Sequence, residues 1–346
     1  MGALNKILER FSLAARVLFA GNPQAVEARA ISPITPEEVA EAQSFFPMPK
    51  FFIFGHARSG TTLLARLVRV HPEVHCNWQG HFFTRPPLLS GMASDPEVAA
   101  WLARPSNRWN RGRDLTPVVL RAVADYLLER DARREGKRVV GDKSPNVLTN
   151  GEAVRHMHSI YPDAHLIFIV RDGRDALLSH RFQNFIDGPQ FLPREDLRIR
   201  DDFARRPDLY FAGQRSIFTP AALRRMADGW VRNVGETHEL GQQLYGGRYF
   251  SLRFEDLLKD PYEHLARLWE FLGVNPAGLE RALAIEMDSN PDAEWQRQKA
   301  GELVAPLEKG RRGSWRELFT PRDKQVFKEI AGKTLIAWGY EQGTDW

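Results

Sequence analysis

The chain has 346 residues, of which 43% are hydrophobic, 27% charged and 11% aromatic, and its formal net charge is +4. This composition is that of a globular protein and excludes a disordered, collagen-like or membrane-spanning chain. The small positive excess gives no reason to expect a nucleic-acid partner. The single cysteine, Cys76, excludes an intramolecular disulfide and a cysteine-rich metal cluster, and it favours a reducing, cytoplasmic location.

The first 20 residues carry apolar side chains at three- and four-residue intervals with basic residues between them, which predicts an amphipathic helix. Charges interrupt the apolar stretch of about 18 residues that a transmembrane helix needs. We predict a helix that docks on the protein itself or on a partner, with peripheral membrane contact as the alternative. Residues 1–48 are interpreted as this helix plus a lead-in, in which Thr35 caps a short helix from Pro36. Residues 49–346 are interpreted as one domain.

The apolar run FFIF at residues 51–54 is typical of a strand buried on both faces. Helical patterns separate it from three further strand candidates, which begin at Arg138, His165 and Arg248. This alternation predicts an α/β fold with a central parallel sheet and helices on both faces. Two arginine- and proline-rich segments, 84–136 and 182–247, are predicted to be helical insertions that cover the carboxyl edge of the sheet, where open α/β folds bind ligands.

The loop GHARSG follows the first strand candidate and leads into the helical pattern TTLLARLV. Gly55 and Gly60 have the spacing of a nucleotide-phosphate loop, but Thr61 stands where a triphosphate-binding loop has its lysine. A helix N-terminus with such donors predicts an anion site. Its binding groups would come from Arg58, Ser59, Gly60, Thr61 and Thr62. The alternative is a tight turn without a ligand, because glycine, serine and threonine are ordinary turn residues.

A second candidate segment is VRDGRDALLS, in which Arg171 and Ser179 are eight positions apart. The strand candidate before it would deliver Arg171 to the carboxyl edge of the sheet. The guanidinium and the hydroxyl could then grip one more phosphate. The alternative is helix capping and surface ion pairing by Asp172, Arg174 and Asp175.

Together these two segments resemble the sulfotransferases that use 3'-phosphoadenosine 5'-phosphosulfate (PAPS). GHARSGTTLL is similar to their 5'-phosphosulfate loop, in which the position of Arg58 holds Lys or Arg, and VRDGRDALLS is similar to their 3'-phosphate segment. The resemblance continues in FEDLLKDP from Phe254 and in KGRRGSWRELFT from Lys309. It implies a P-loop-like sulfotransferase fold, PAPS as co-substrate and no metal.

The resemblance also implies in-line transfer of a sulfuryl group to a hydroxyl or amine acceptor. Arg58 would stabilise the charge on the leaving phosphate. Lys143, in GDKSPN, matches a lysine that many carbohydrate- and protein-modifying relatives use near the sulfate; its alternative role is a solvated ion pair with Asp142.

Two positions depart from the family pattern of nucleotide contacts. Phe254 stands where relatives often have a nucleotide-contacting Tyr, and Glu308 replaces the Arg of an Arg-Lys-Gly segment. The resemblance still implies that Lys309, Gly310 and Arg312 close over the 3'-phosphate, and which basic residue contacts it stays open.

The acceptor must lose a proton, and a positioned base accelerates such a step by roughly 100- to 10,000-fold. Heparan-modifying relatives use the Glu of a Glu-x-His-Phe-Phe pattern, whereas this chain reads QGHFF with Gln79 in that position. An amide cannot accept a proton in this role. Because other branches of the family use histidine, His81 is the first candidate base and His75 the second. A core or capping histidine is the alternative.

The acceptor stays open among carbohydrates, lipids and small molecules. Three other functions are alternatives to sulfuryl transfer. A nucleotide kinase or triphosphatase would require Mg²⁺ and bind ATP. Thr61, in the position of the triphosphate-binding lysine, argues against this function. A PAPS-binding protein without turnover is suggested by Gln79, and an adaptor that acts through residues 1–20 is a third possibility.

Overall fold

A parallel five-stranded sheet forms the centre of the molecule. The structure is a computed structural model that describes residues 31–86, 88–106, 108, 110–289, 313–343, 345 and 346. In chain order, the strands are β1 (Lys50–Phe54), β2 (Val74–Trp78), β3 (Val139–Lys143), β4 (His165–Val170) and β5 (Tyr249–Arg253). Across the sheet the order is β2-β3-β1-β4-β5, which puts the first strand in the middle. The predicted α/β fold is confirmed.

Helices surround this sheet. Those before β3 are α1 (Pro36–Phe45), α2 (Thr61–Val68), α3 (Pro96–Ala103) and α4 (Thr116–Arg134). Those between β3 and β5 are α5 (Glu152–Ile160), α6 (Gly173–Asp187), α7 (Arg194–Arg205), α8 (Pro207–Phe211) and α9 (Pro220–Tyr245). Those after β5 are α10 (Phe254–Lys259), α11 (Pro261–Phe271), α12 (Glu280–Ser289), α13 (Trp315–Leu318) and α14 (Pro321–Ala337). Short 3₁₀ segments occupy Leu89–Ala93, Pro189–Phe191 and Gly246–Arg248.

The central strand β1 is buried along its whole length, as its apolar run predicts. Because side chains alternate across a strand, Phe52 and Phe54 join one apolar cluster, and Phe51 and Ile53 join the other. Helices α4, α5, α6 and α9 contribute to the first cluster, whereas α2 and α11 contribute to the second. The two faces of the sheet are therefore both covered by helices.

Strand β2 was not predicted from the sequence. Its residues VHCNW contain one aliphatic side chain, Val74, and no uninterrupted apolar run. It is nevertheless a regular parallel strand at the edge of the sheet, where His75 pairs with Val140 and Trp78 with Lys143. Tertiary pairing overrides a weak local pattern here, since strand preference depends strongly on context.

The two segments interpreted as insertions are helical, but each ends in a helix that belongs to the basic α/β arrangement. Helix α4 connects β2 to β3 and buries Leu120, Ala124 and Leu128 in the cluster of Phe52. Helix α9 likewise leads into β5 and buries Trp230 in the same cluster. The interpretation of 84–136 and 182–247 as insertions throughout is therefore wrong, because only α3, α7, α8 and the short segments around them are additional to the crossover helices.

The predicted cap of the short lead-in helix is confirmed. The Thr35 hydroxyl accepts a hydrogen bond from the Glu38 backbone N–H at 3.3 Å, and the Glu38 carboxylate accepts one from the Thr35 N–H at 3.0 Å. This reciprocal pair satisfies two otherwise unpaired donors at the helix start. The predicted helix at 1–20 lies outside the described residues. No helix in the described ranges is long and apolar enough to cross a membrane.

Adjacent leucines on α4 test the packing of the first cluster. Leu128 is fully buried and Leu127 is 40% exposed. We expect Leu128→Ala to lower the free energy of unfolding by about 2 to 5 kcal/mol, because it removes buried methyl groups and leaves a cavity. Leu127→Ala is the control and should change it by at most about 0.5 kcal/mol. Urea denaturation measures both, and equal losses would contradict the assigned packing of α4.

Candidate functional site

The loop between β1 and α2 requires a glycine at its last position. Gly60 has φ +89°, in the left-handed region that side chains disfavour. A Cβ atom added to Gly60 would lie 2.2 Å from Cδ2 of Phe254, which begins the helix after β5. Arg58 also has a positive φ, +71°. The loop is therefore a built feature, held by backbone conformation and by the Phe254 ring.

The start of α2 gathers several hydrogen-bond donors at one place. Its first N–H groups point out of the helix end, where the helix dipole favours an anion. Thr61 is buried there, and the buried Ser59 hydroxyl has no hydrogen-bond partner among the described residues. A buried hydroxyl without a partner is costly and rare in proteins. The loop thus has the donors for a phosphate or sulfate group.

Two segments that lie far apart in the sequence meet at this loop. Arg58 Nε donates a hydrogen bond to Ser179 Oγ at 3.1 Å. Arg171 Nη1 donates to the backbone carbonyl of Arg58 at 3.2 Å, and its guanidinium lies 5.0 Å from the centre of the Phe254 ring. Strand β4 delivers Arg171, α6 carries Ser179, and β5 delivers Phe254. Parallel pairing brings all of them to the carboxyl edge of the sheet, as the sequence predicts.

The capping role that was the alternative for this segment is also present. The Asp172 carboxylate accepts a hydrogen bond from the Arg174 backbone N–H at 3.0 Å and so caps α6. Arg174 is buried and ion-paired with Asp172, and its guanidinium carbon lies 3.8 and 4.4 Å from the ring centres of Trp315 and Trp346. The two interpretations do not compete, since Asp172 and Arg174 stabilise the helix start that carries Arg171 and Ser179.

Lys143 ends β3 next to the loop. Its side chain is fully buried, and its ammonium donates a hydrogen bond to Thr62 Oγ1 at 3.1 Å. The same ammonium lies 5.3 Å from the centre of the Trp78 ring. The alternative of a solvated surface ion pair with Asp142 is therefore wrong, because both side chains are buried.

His81 lies in the turn that follows β2, half-buried. Its Nδ1 is 2.9 Å from Thr84 Oγ1. Burial lowers the pKa of His81 below its ordinary value, and the nearby charges of Arg85 and Lys143 lower it further. The imidazole is therefore neutral at pH 7 and able to accept a proton.

His75 does not lie at this site. It is near the amino end of β2, buried, with Nδ1 2.9 Å from the Glu135 carboxylate at the end of α4. Its candidacy as a base is therefore wrong. Strand β2 is the cause of the difference, because it holds His75 near its amino end while the turn after it carries His81.

Two residues that sequence reasoning did not assign support the turn of His81. The buried Asp142 carboxylate accepts hydrogen bonds from the Gly80 N–H at 2.9 Å and from the Ser144 hydroxyl at 2.5 Å. The signal available in the sequence is the pair of polar residues on either side of Lys143 in GDKSPN. Buried polar side chains are nearly always hydrogen-bonded, so this pair predicts a partner close to the end of the strand.

Asp175 also lies at this edge. The sequence did not predict its contact with the segment that begins at Gly313. Its carboxylate accepts hydrogen bonds from the backbone N–H groups of Gly313 and Trp315 at 2.7 and 3.2 Å. The preceding residues Lys309, Gly310 and Arg312 lie outside the described residues, so their predicted role stays a prediction. No group of His, Cys, Asp or Glu side chains suited to a metal ion occurs within the described ranges.

This fold and site define an α/β protein with a cluster of cationic and hydrogen-bond-donor groups at the carboxyl edge of a parallel sheet. The group that fits is anionic, since Arg58, Arg171 and Lys143 supply positive charge and the Ser59 hydroxyl lacks a partner among the described residues. The chain belongs to the sulfotransferase family, because the model of the Sulfotransferase family matches residues 49–277.

Among three curated relatives, two name an acceptor, and the two acceptors differ. Heparan sulfate glucosamine 3-O-sulfotransferase 3B1 of Mus musculus is 26% identical over 250 residues, which are 70% of this chain and 52% of that protein. Nodulation protein NoeE of Sinorhizobium fredii is 24% identical over 86% of this chain and 67% of its own length. Protein-tyrosine sulfotransferase of Drosophila melanogaster is 24% identical over 66% of this chain and 38% of its own length. The chain thus spans about half the length of the mouse relative.

Solved structures of similar proteins include mouse sulfotransferase SULT7A1 complexed with PAP (3'-phosphoadenosine 5'-phosphate). It is 17% identical, with 87% of this chain and 89% of that chain covered and a TM-score of 0.45. The sulfotransferase of Alicyclobacillus acidocaldarius is 20% identical, with 84% and 98% covered and a TM-score of 0.40.

A pair of glycine substitutions tests the geometry of the loop. We expect Gly60→Ala to lower the free energy of unfolding by about 2 kcal/mol or more, because the left-handed conformation is strained for alanine and the Cβ overlaps Phe254. Gly235→Ala, in α9, has no neighbour within 4 Å of the added Cβ and should be neutral or slightly stabilising. Thermal and urea unfolding compare the two. A harmless Gly60→Ala would show that the loop does not have this conformation.

Proposed function

We propose that this protein transfers a sulfuryl group from PAPS to a hydroxyl or amine acceptor. The observation that carries the proposal is the meeting of Arg58, Ser179 and Arg171 at the α2 N-terminus, joined by hydrogen bonds of 3.1 and 3.2 Å. A loop for a triphosphate needs a lysine at the position of Thr61. A loop for a phosphosulfate has no terminal phosphate to hold, and the positive charge comes instead from Arg58 and, at the second anion, from Arg171.

PAPS supplies an activated sulfuryl group on a phosphate that leaves with additional negative charge. Arg58 and Lys143 lie on either side of the start of α2 and are suited to stabilise that charge. Charged donors fixed in advance act most strongly where water is excluded, and losing one such donor costs roughly 3 to 4 kcal/mol of transition-state stabilisation. Burial of Lys143 and its bond to Thr62 hold the ammonium in place before the reaction.

The 3'-phosphate is assigned to Arg171 and Ser179, with Phe254 as an apolar surface beside the guanidinium. Ser59, Gly60, Thr61 and Thr62 are assigned to the 5' side through their backbone N–H groups and hydroxyls. Lys309, Gly310 and Arg312 complete the 3' side in this proposal, on the resemblance alone.

His81 is proposed as the general base that takes the proton from the acceptor. Its lowered pKa, caused mainly by burial, favours the neutral imidazole, which is the state that a base requires. The amide of Gln79 cannot take this role. A protein that binds PAPS without turnover is therefore the second candidate function, and Gln79 is the residue that favours it.

The acceptor is proposed to be a carbohydrate, a lipid or another small molecule, or a tyrosine side chain. The names of the mouse and Drosophila relatives support glucosamine and tyrosine as the first acceptors to test. We propose a cytoplasmic location on the ground that the one cysteine, Cys76, is a buried free thiol. Peripheral membrane contact through residues 1–20 and absence of a nucleic-acid partner also remain proposals.

Calorimetry with PAP, ADP and ATP tests the donor site. We expect PAP to bind more tightly than ADP or ATP, with no dependence on Mg²⁺, because the site provides cations for a 3'-phosphate and Thr61 in place of the triphosphate lysine. Arg171→Ala should weaken PAP by about 10- to 100-fold, the loss of a hydrogen bond to a charged group, and ADP much less.

Arg198→Ala, on the exposed side of α7, removes the same charge and is the control for that variant. It should leave PAP binding unchanged. Preference for ATP with Mg²⁺ would favour the kinase or triphosphatase alternative, and equal loss of PAP and ADP in Arg171→Ala would overturn the 3'-phosphate assignment.

An assay of PAP release from PAPS tests the role of His81 as the base. Water, heparan sulfate and a tyrosine peptide are offered in turn as acceptors. We expect His81→Gln to lower kcat by roughly 100- to 10,000-fold without changing PAP affinity. Wild-type activity should fall as the pH drops through the lowered pKa of His81, because the protonated imidazole cannot accept a proton.

His158→Gln, at a half-buried position of α5, is the control for loss of a histidine. Unchanged turnover in His81→Gln would place the base elsewhere. Tight PAP binding with no turnover in the wild type would instead favour the PAPS-binding protein without activity.

A further inference from the structure

The turn that carries His81 has an unusual backbone. Gln79 and His81 have φ values of +53° and +50°, and both are residues with a full side chain. Such conformations are sparsely populated outside glycine and persist where the surroundings enforce them. Contacts from neighbouring residues must therefore hold the turn in this conformation.

A buried carboxylate lies directly against the turn. Asp142 is 1% exposed, and its Oδ1 accepts a hydrogen bond from the Gly80 N–H at 2.9 Å. The absence of a side chain at Gly80 permits this approach, since an added Cβ would lie 3.1 Å from the same Oδ1 and 2.6 Å from the Phe82 ring. The Gln79 N–H is fixed by the Lys143 carbonyl at 2.7 Å.

The second carboxylate oxygen of Asp142 is connected to the His81 backbone through the Ser144 hydroxyl. Ser144 donates its hydroxyl proton to Asp142 Oδ2 at 2.5 Å, and the same hydroxyl oxygen accepts the His81 backbone N–H at 2.9 Å. Ser144 is 2% exposed, so water does not compete readily for these bonds. All three backbone N–H groups of the turn, from Gln79 to His81, are thus bound by the end of β3.

We propose that Asp142 and Ser144 are positioning residues that hold the turn of Gln79 to His81 in its left-handed conformation and thereby set the place of the His81 imidazole. Neither residue would touch the reacting groups. The inference rests on the proposed function only for its effect on turnover. Its structural part, the control of the His81 position, stands apart from any reaction.

The charges around Asp142 agree with this role. Burial raises the pKa of Asp142 to about 6, against the lowering effect of its hydrogen bonds and of Lys143. A carboxylate kept ionised in such a place at pH 7 depends on its donors, and each donor in turn depends on it. The other titratable groups near it are the Cys76 thiol of β2 and, through Ser144, His81.

Histidine side-chain NMR on the whole chain tests the positioning without any acceptor. We expect Ser144→Ala to shift the His81 ring resonances and to raise the pKa of His81 toward its ordinary value, because the freed turn exposes the imidazole. This variant changes no charge. Asp142→Asn should shift the same resonances, and Ser144→Thr, which keeps the hydroxyl, should restore those of the wild type.

The resonances of His71 and His158 are internal controls and should not move. Asp228→Asn, an exposed carboxylate on α9, controls for the change of charge in Asp142→Asn. His81 resonances and titration that are identical in the wild type, Ser144→Ala and Asp142→Asn would overturn the proposal. So would equal shifts of all histidines, which would indicate a general loss of structure.

Turnover then separates this inference from the proposed function. In the PAP-release assay, Asp142→Asn and Ser144→Ala should lower kcat on the order of 100-fold with unchanged PAP affinity, since a small displacement of a catalytic group has such an effect. If His81→Gln loses activity, full activity in both variants overturns the positioning role although sulfuryl transfer stands. If His81→Gln is also fully active, the base lies elsewhere, and the NMR result alone decides the role of Asp142 and Ser144. A wild-type protein that does not turn over removes the proposed function, while the NMR result still decides the role of Asp142 and Ser144.

Discussion

The parallel pairing of β1 with β3 and β4 is the constraint on which the site depends. Ile53 of β1 is in register with Lys143 of β3 and with Ile167 of β4. Because all strands run in the same direction, the loops that follow them emerge at one edge. The strand pairing therefore brings the glycine loop, the buried lysine and Arg171 together at this edge. A strand that slipped by one residue would separate the lysine from the loop and turn its side chain to the opposite face.

The same pairing concentrates positive charge. Arg58, Arg171 and Lys143 lie around one helix start, which itself has the positive end of a dipole. Such a cluster destabilises the folded protein by repulsion, and neighbouring aromatic rings moderate it. Phe254 lies beside Arg171, and Trp78 lies beside Lys143. The arrangement is intelligible as a binding site for an anion, whose negative charge would offset part of this repulsion.

The sequence predicted those parts of the fold and site that rest on local patterns. The run at residues 51–54 and the Thr35 cap each have a strong short-range signal, and the structure confirms both. Strand β2 has no such signal, since its pairing with β3 rather than its composition makes it a strand. Without β2, the sequence does not show that His75 lies near the amino end of a strand, away from the site. The roles of Asp142 and Ser144 depend on a turn that folds back onto the end of β3, which no residue spacing within GDKSPN specifies.

Burial divides the molecule into parts that tolerate change very differently. Every side chain of β1 is enclosed on one face or the other, so almost any replacement there alters the volume of a packed core. The segment that follows the His81 turn presents Met92, Val98 and Trp101 at 57%, 41% and 52% exposure. Substitutions on such a surface change the free energy of unfolding little. A chain built in this way can keep its buried sheet unchanged while its descendants acquire new partners through residues that the core does not need.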